Sequence, residues 1–309
     1  MHPTMRSTLK IWFVSAVFGA FALPVFAETE NPKTDSPDAN ALIAKRESET
    51  LIAELTELVV RRDAFYAEAE TLPQNESSRR AADIAARYEN LLTRFPDSVP
   101  ALFFFAEFLH DGGENERAEK LLLKAEKLDE TFTPAQFLLA EILAERGAAA
   151  EAFPRFRRGL SENPDAESVA VYGEFLCDHC DALLLKKVFP KRAELDREMQ
   201  DAFILAAGLS DSDSDPNFYW RYAESFYDIE EPNWRAALSA WGIVARLASV
   251  KKNPELLAAV ALHRARVLAE LGRIDEANTL LRETVGVPAL ERSRRQVFEI
   301  IKRKREEGN

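Results

Sequence analysis

The sequence predicts an all-α protein, a right-handed α-solenoid of stacked antiparallel helix pairs. Three observations predict it. From Ala41 onward apolar residues recur at helical spacing, without alternating apolar–polar runs between glycine turns. Only 11 Gly and 15 Pro occur among 309 residues, little turn material for a many-stranded β fold. A set of small and bulky residues also repeats at a constant offset of 34 positions.

The elements follow in chain order. Residues 1–27 read as a secretory signal peptide. Arg6 and Lys10 give a positive start, Ile11 to Val25 is uncharged and apolar, and Val25-Phe26-Ala27 sets small residues before Glu28. The rival reading is an uncleaved anchor, but the run is shorter than the roughly 20 residues that span a bilayer. No later run is apolar enough to cross a membrane, so no insertion is expected after cleavage, and the mature protein belongs in the periplasm or outside the cell. Residues 28–44 read as a flexible linker, since its first part is polar and proline-bearing. A helical hairpin follows over 45–98. Leu51, Leu55, Leu58 and Val59 mark the inner face of its first helix, and Ala82, Ala85, Ala86, Leu91 and Leu92 that of its second.

The repeat is clearest over 99–166. Gly113 pairs with Gly147 at an offset of 34, as do Phe105 with Leu139, Ala106 with Ala140, Leu109 with Leu143, Ala118 with Ala152, and Leu122 with Phe156. Counted from Val99 and Thr133 these are positions 7, 8, 11, 15, 20 and 24, and Pro164 and Pro96 both fall at position 32. Small residues at 8 and 20 let two helix axes approach, bulky ones fill the gaps, Gly permits the turn, and Pro stops the second helix. This pattern resembles the tetratricopeptide (TPR) repeat. Residues 167–209 are degenerate. The strict offset puts Gly173 at position 7 and Cys177 at 11, whereas a one-residue slip puts Tyr172, Gly173 and Leu176 at 7, 8 and 11. Pro190 breaks the expected second helix. Residues 210–216 form an acidic linker, and TPR-like units resume over 217–289. There Ala261, Ala265, Leu268, Gly272, Ala277 and Leu281 fit, and Trp220, Ala223, Tyr227, Ala237 and Trp241 fit loosely. Residues 290–309 read as a C-terminal capping helix with a charged outer side.

Charge and composition narrow the function. With 40 Lys and Arg against 52 Asp and Glu, the net charge is −12, which argues against nucleic acid as a partner. No phosphate-binding loop, zinc-protease or serine-hydrolase motif is present, and no cofactor is expected. The run Cys177-Asp178-His179-Cys180 leaves three readings: core residues, a local disulfide between Cys177 and Cys180, or redox or metal chemistry. A metal site would need further ligands, the other His of the mature chain are His110 and His263, and His110 is about two repeat units away. The alternating Asp211, Asp213 and Asp215 match the start of a calcium loop, but Pro216 and Tyr222 occupy places that need Gly and a carboxylate.

The resemblance implies a non-catalytic scaffold that binds a protein or peptide in a concave groove. It also implies that first-helix positions 2, 5, 9, 12 and 13 line that groove. In this sequence the implied residues are Phe103, Glu107, His110, Asp111, Phe137, Glu141 and Glu145 in the strong units, and Val171, Phe175 and Asp178 in the next. The family's carboxylate clamp of Lys, Arg and Asn is not matched at these positions. The implied partner is a segment with apolar anchors and basic residues beside them.

Overall fold

The computed structural model describes residues 39–160, 164–210, 216–250 and 252–307. The targeting segment 1–27, most of the linker that follows it, and Asp211, Asp213 and Asp215 lie outside the described residues. By internal contacts the chain divides into two units, one running through Arg146 with Arg157–Gly159, the other comprising Gly147–Phe156 and everything from Leu160. Among the described residues the secondary structure is helical without a strand, as the periodicity predicts.

The first unit contains α1 (Ala39–Glu68), α2 (Gln74–Arg94), α3 (Val99–Asp111), α4 (Asn115–Leu128) and α5 (Thr133–Glu145). Helix α1 starts inside the stretch read as a linker, so 39–44 are helix. On α2 the buried residues are Ile84, Tyr88 and Leu91, at helical spacing. Ala82 and Ala86 face outward, contrary to expectation, because the bulkier residues remove more apolar area from water. Helix α3 is apolar almost all round, burying Ala101 through Ala106 and Phe108 through His110. It is enclosed because α1, α2, α4 and α5 all pack against it. Ser98 caps it, its hydroxyl accepting from the Ala101 N–H at 3.3 Å, with Pro100 in the first turn.

Helices α3 and α4 form the clearest pair. Ala106 and Ala118, the small residues of the repeat, are both fully buried. The chain reverses at Gly113 with φ +80°, where the Glu114 N–H bonds back to the Leu109 carbonyl at 2.8 Å. Gly147 and Gly272, its counterparts in the repeat, have φ +82° and +75°. The left-handed conformation explains why all three positions carry Gly.

The second unit contains α6 (Ala149–Gly159) up to Phe156, then α7 (Ala166–Asp178), α8 (Cys180–Leu185), α9 (Arg192–Leu209), α10 (Pro216–Glu224), α11 (Trp234–Val250), α12 (Pro254–Glu270), α13 (Ile274–Glu283) and α14 (Glu291–Glu307). Pro216, read as the end of the acidic linker, is the first residue of α10. Helix α7 pairs with α9, and α8 is a short insertion that ends before Pro190. A Cβ built on Gly173 would lie 3.2 Å from the Phe203 ring, so Gly173 is the close-approach residue here. With Leu176 fully buried and Cys177 only partly so, the one-residue slip is the register the chain adopts. Buried Asp196 ties the connection after α10 to α9, accepting from Arg192 Nε at 2.6 Å and from the Glu230 N–H at 2.8 Å.

Aromatic residues fill the space between α10, α11 and α12. Trp241 is fully buried and stacks on His263 at 4.4 Å, while Trp220 meets the same imidazole edge-on at 4.7 Å. The Tyr227 hydroxyl lies 2.8 Å from His263 Nδ1. Burial, reinforced by the Arg266 charge, pulls the His263 pKa down from 6.5 to about 4. The unfolded chain therefore binds the proton more readily, and stability is lost as pH falls from 6.5 toward 4. Glu167, raised to about 7 by burial and then by Asp165, acts in the opposite direction, so the variant comparison carries the test. Urea unfolding followed by Trp fluorescence should show His263→Phe removing about 2 kcal/mol of the stability difference between about pH 7 and pH 5.

Candidate functional site

The residues implied for a groove fall on α3, α5 and α7, and the structure treats them unequally. Phe103 is only 4% exposed, edge-on to Phe104 at 5.3 Å and to Phe132 at 5.6 Å. It is a core residue, because the turn before α5 closes over it. Glu107 turns toward α1, where its carboxylate pairs with the guanidinium of Arg62. Arg62 is buried, also pairs with Asp63 at 2.9 Å, and lies 5.6 Å from the Phe104 ring centre. His110 is buried as well, with Nδ1 2.8 Å from Asn115 Oδ1 and Nε2 3.8 Å from Glu145. Asn115 Nδ2 donates to the Glu145 carboxylate at 3.2 Å, so α3, α4 and α5 share one polar network. Asp111 is half-buried beside Tyr66 of α1, whose hydroxyl pKa is pushed up by burial and by that carboxylate. Phe137 and Glu141 are half-buried and Glu145 is exposed. A Cβ on Gly159 would come within 3.1 Å of Phe137, so that glycine admits the ring.

The face thus brings Glu107, His110, Asp111 and Glu145 together with Arg62, Tyr66 and Asn115, which the groove positions of the repeat do not include. Arg62 is legible in principle. It falls on the same helical stripe as Leu55, Leu58 and Val59, where a cation needs a buried partner.

In the second unit Val171 is half-buried and Phe175 is buried, 4.5 Å from the Phe156 ring. Phe175 belongs to the core, a consequence of the slipped register, so it is not a groove residue. Asp178 is exposed and accepts from Arg221 Nη2 of α10 at 2.7 Å. Cys177 and Cys180 are free thiols here, not a disulfide. Burial raises the pKa of both. Neither has the lowered value of a reactive thiol, and among the described residues no three His, Cys, Asp or Glu are grouped to hold a metal.

No protein-family model matches the chain, and no curated protein matches its sequence. Solved structures do resemble it. YrrB, a TPR protein with an unusual peptide-binding site, is 15% identical with a TM-score of 0.55, over 69% of this chain and 97% of that one. The C-terminal part of a TPR repeat-containing protein from Cytophaga hutchinsonii is 9% identical with a TM-score of 0.53, over 82% and 95%. Pseudomonas aeruginosa pilF is 14% identical with a TM-score of 0.51, over 78% and 97%.

The fold is that of TPR proteins.

The register adopted on α7 also renumbers the second unit's candidate residues. With Gly173 at position 8, first-helix positions 9, 12 and 13 become Glu174, Cys177 and Asp178. The charges of Asp178 and Glu174 both act on Arg221, which donates to Asp178. The Arg62–Glu107 pair in the first unit makes a separate prediction. Glu107→Ala leaves a buried cation with Asp63 as its remaining close carboxylate and should cost about 2 kcal/mol. Arg62→Met with Glu107→Leu should cost less than that single change, measured by thermal unfolding.

Proposed function

We propose that this chain is a non-catalytic, exported scaffold that holds a protein or peptide segment on the first-helix face of its N-terminal TPR-like unit. The observation that carries the reading is the charge of that face. Asp63, Glu107, Asp111 and Glu145 come from α1, α3 and α5, and buried Arg62 is engaged by Glu107 and Asp63. Carboxylates contributed by three helices recur on that face, and Lys or Arg on a partner complements them. Half-buried Phe137, on the same helix as Glu145, offers an apolar contact. The described peptide-binding site of YrrB lends the reading support from a similar fold. Export rests on the composition of residues 1–27.

Two measurements test this. Phe137→Ala with Glu145→Lys should abolish recovery of a crosslinked partner from the cell envelope while the circular dichroism spectrum stays helical. Undiminished recovery would place the interaction elsewhere. N-terminal sequencing of the mature protein should begin at Glu28, and an intact residue 1–10 stretch on envelope protein would overturn cleavage.

A further inference from the structure

Helix α14 carries seven Lys or Arg and four Glu, in a chain whose total is 40 against 52. Its inner side is committed. Val297 and Ile301 are buried in one cluster with Leu262, Leu268 and Leu281. Arg303 and Lys304 reach Glu270 of α12 at 3.3 and 3.2 Å, and Arg294 pairs with Glu291 at 3.0 Å. The outer side is different. Arg295, Phe298, Lys302 and Arg305 recur at helical spacing and are all exposed, Phe298 by 52%. Lys302 and Arg305 make no ion pair among the described residues, and Arg295 has only a 3.6 Å contact with Glu291. Glu299 flanks the stripe.

We propose that this stripe is a docking surface for a short acidic protein segment with one apolar anchor, separate from the groove. Charge complementarity selects the occupant. Arg295 to Arg305 spans about 15 Å at 1.5 Å per helical residue, the reach of roughly four or five extended residues. Phe298 lies among the three cations, so an apolar side chain within an acidic run meets the ring while its neighbours meet the charges. A short segment interacts within about a Debye length, near 10 Å, and feels chiefly the local cations. A duplex nucleic acid or an anionic bilayer is an extended polyanion and meets the net negative charge of the whole chain. A bilayer also needs an apolar helix face, and that of α14 is already packed against α12 and α13.

The test uses the full chain and a fluorescein-labelled synthetic peptide of Asp and Glu around a central Leu, followed by anisotropy. Binding should be saturable, and it should weaken about tenfold with Phe298→Ala and with the Lys302→Glu, Arg305→Glu pair. Replacing the peptide's Leu by Ser should cost a similar factor in the parent and little in Phe298→Ala. Helical content should be unchanged in each variant, and Phe137→Ala with Glu145→Lys should leave the affinity intact. Equal affinity in the α14 variants would overturn the proposal. So would phosphatidylglycerol vesicles or duplex DNA binding where the peptide does not.

Discussion

Close approach between paired helices is the constraint on which each unit depends. Ala106 and Ala118 in one unit, and Gly173, Ala265 and Ala277 in the other, are buried where a larger residue would push the helix axes apart. Once the axes are close, the bulky residues beside them have only the neighbouring helix to fill. The turn must then reverse within a few residues, which is why Gly113 and Gly272 adopt positive φ. A helix bracketed on several sides, as α3 is, can bury nearly every apolar residue it carries. An end helix such as α14 buries one stripe and leaves the rest to solvent or a partner.

This constraint also decides what is legible in the sequence. Small residues and turn glycines have few substitutes, so Ala106, Ala118, Gly113 and their counterparts announce both the pairing and its period. Bulky apolar residues are interchangeable. At 172–177 Tyr, Leu and Cys all suit a core, and the contact between Gly173 and Phe203, with Leu176 buried in place of Cys177, selects the slipped register. Phe103 and Phe175 sit in the core rather than a groove for a related reason. An aromatic residue at a groove position and one under a neighbouring turn look alike in sequence, and the Phe132 and Phe156 contacts that bury them come from outside their own helices.

The acidic face is only half legible in the sequence. Glu107 belongs to a row of carboxylates when its unit is taken alone. In the folded chain it neutralises Arg62, a cation 45 residues earlier, and that pairing holds α1 against α3. His110 likewise is a buried hydrogen-bonding group joined to Asn115, not a residue open to a ligand. Position within a repeat shows where a side chain starts. Its partners on adjacent helices settle whether it faces a ligand or the core.

Charge is therefore better judged by how it is balanced than by how much is present. Many ionic groups on these helices meet a partner on the same or the next helix, as Arg80 meets Glu68 and Glu76, and exposed pairs of this kind contribute little to stability. They also cancel as recognition features. Lys302 and Arg305 on α14 are not balanced in this way. A chain with net charge −12 that keeps a basic stripe exposed around Phe298 bears a solvation cost for that ring without any gain in its own core. An acidic segment docked there with an apolar side chain would cover that ring while answering the two cations.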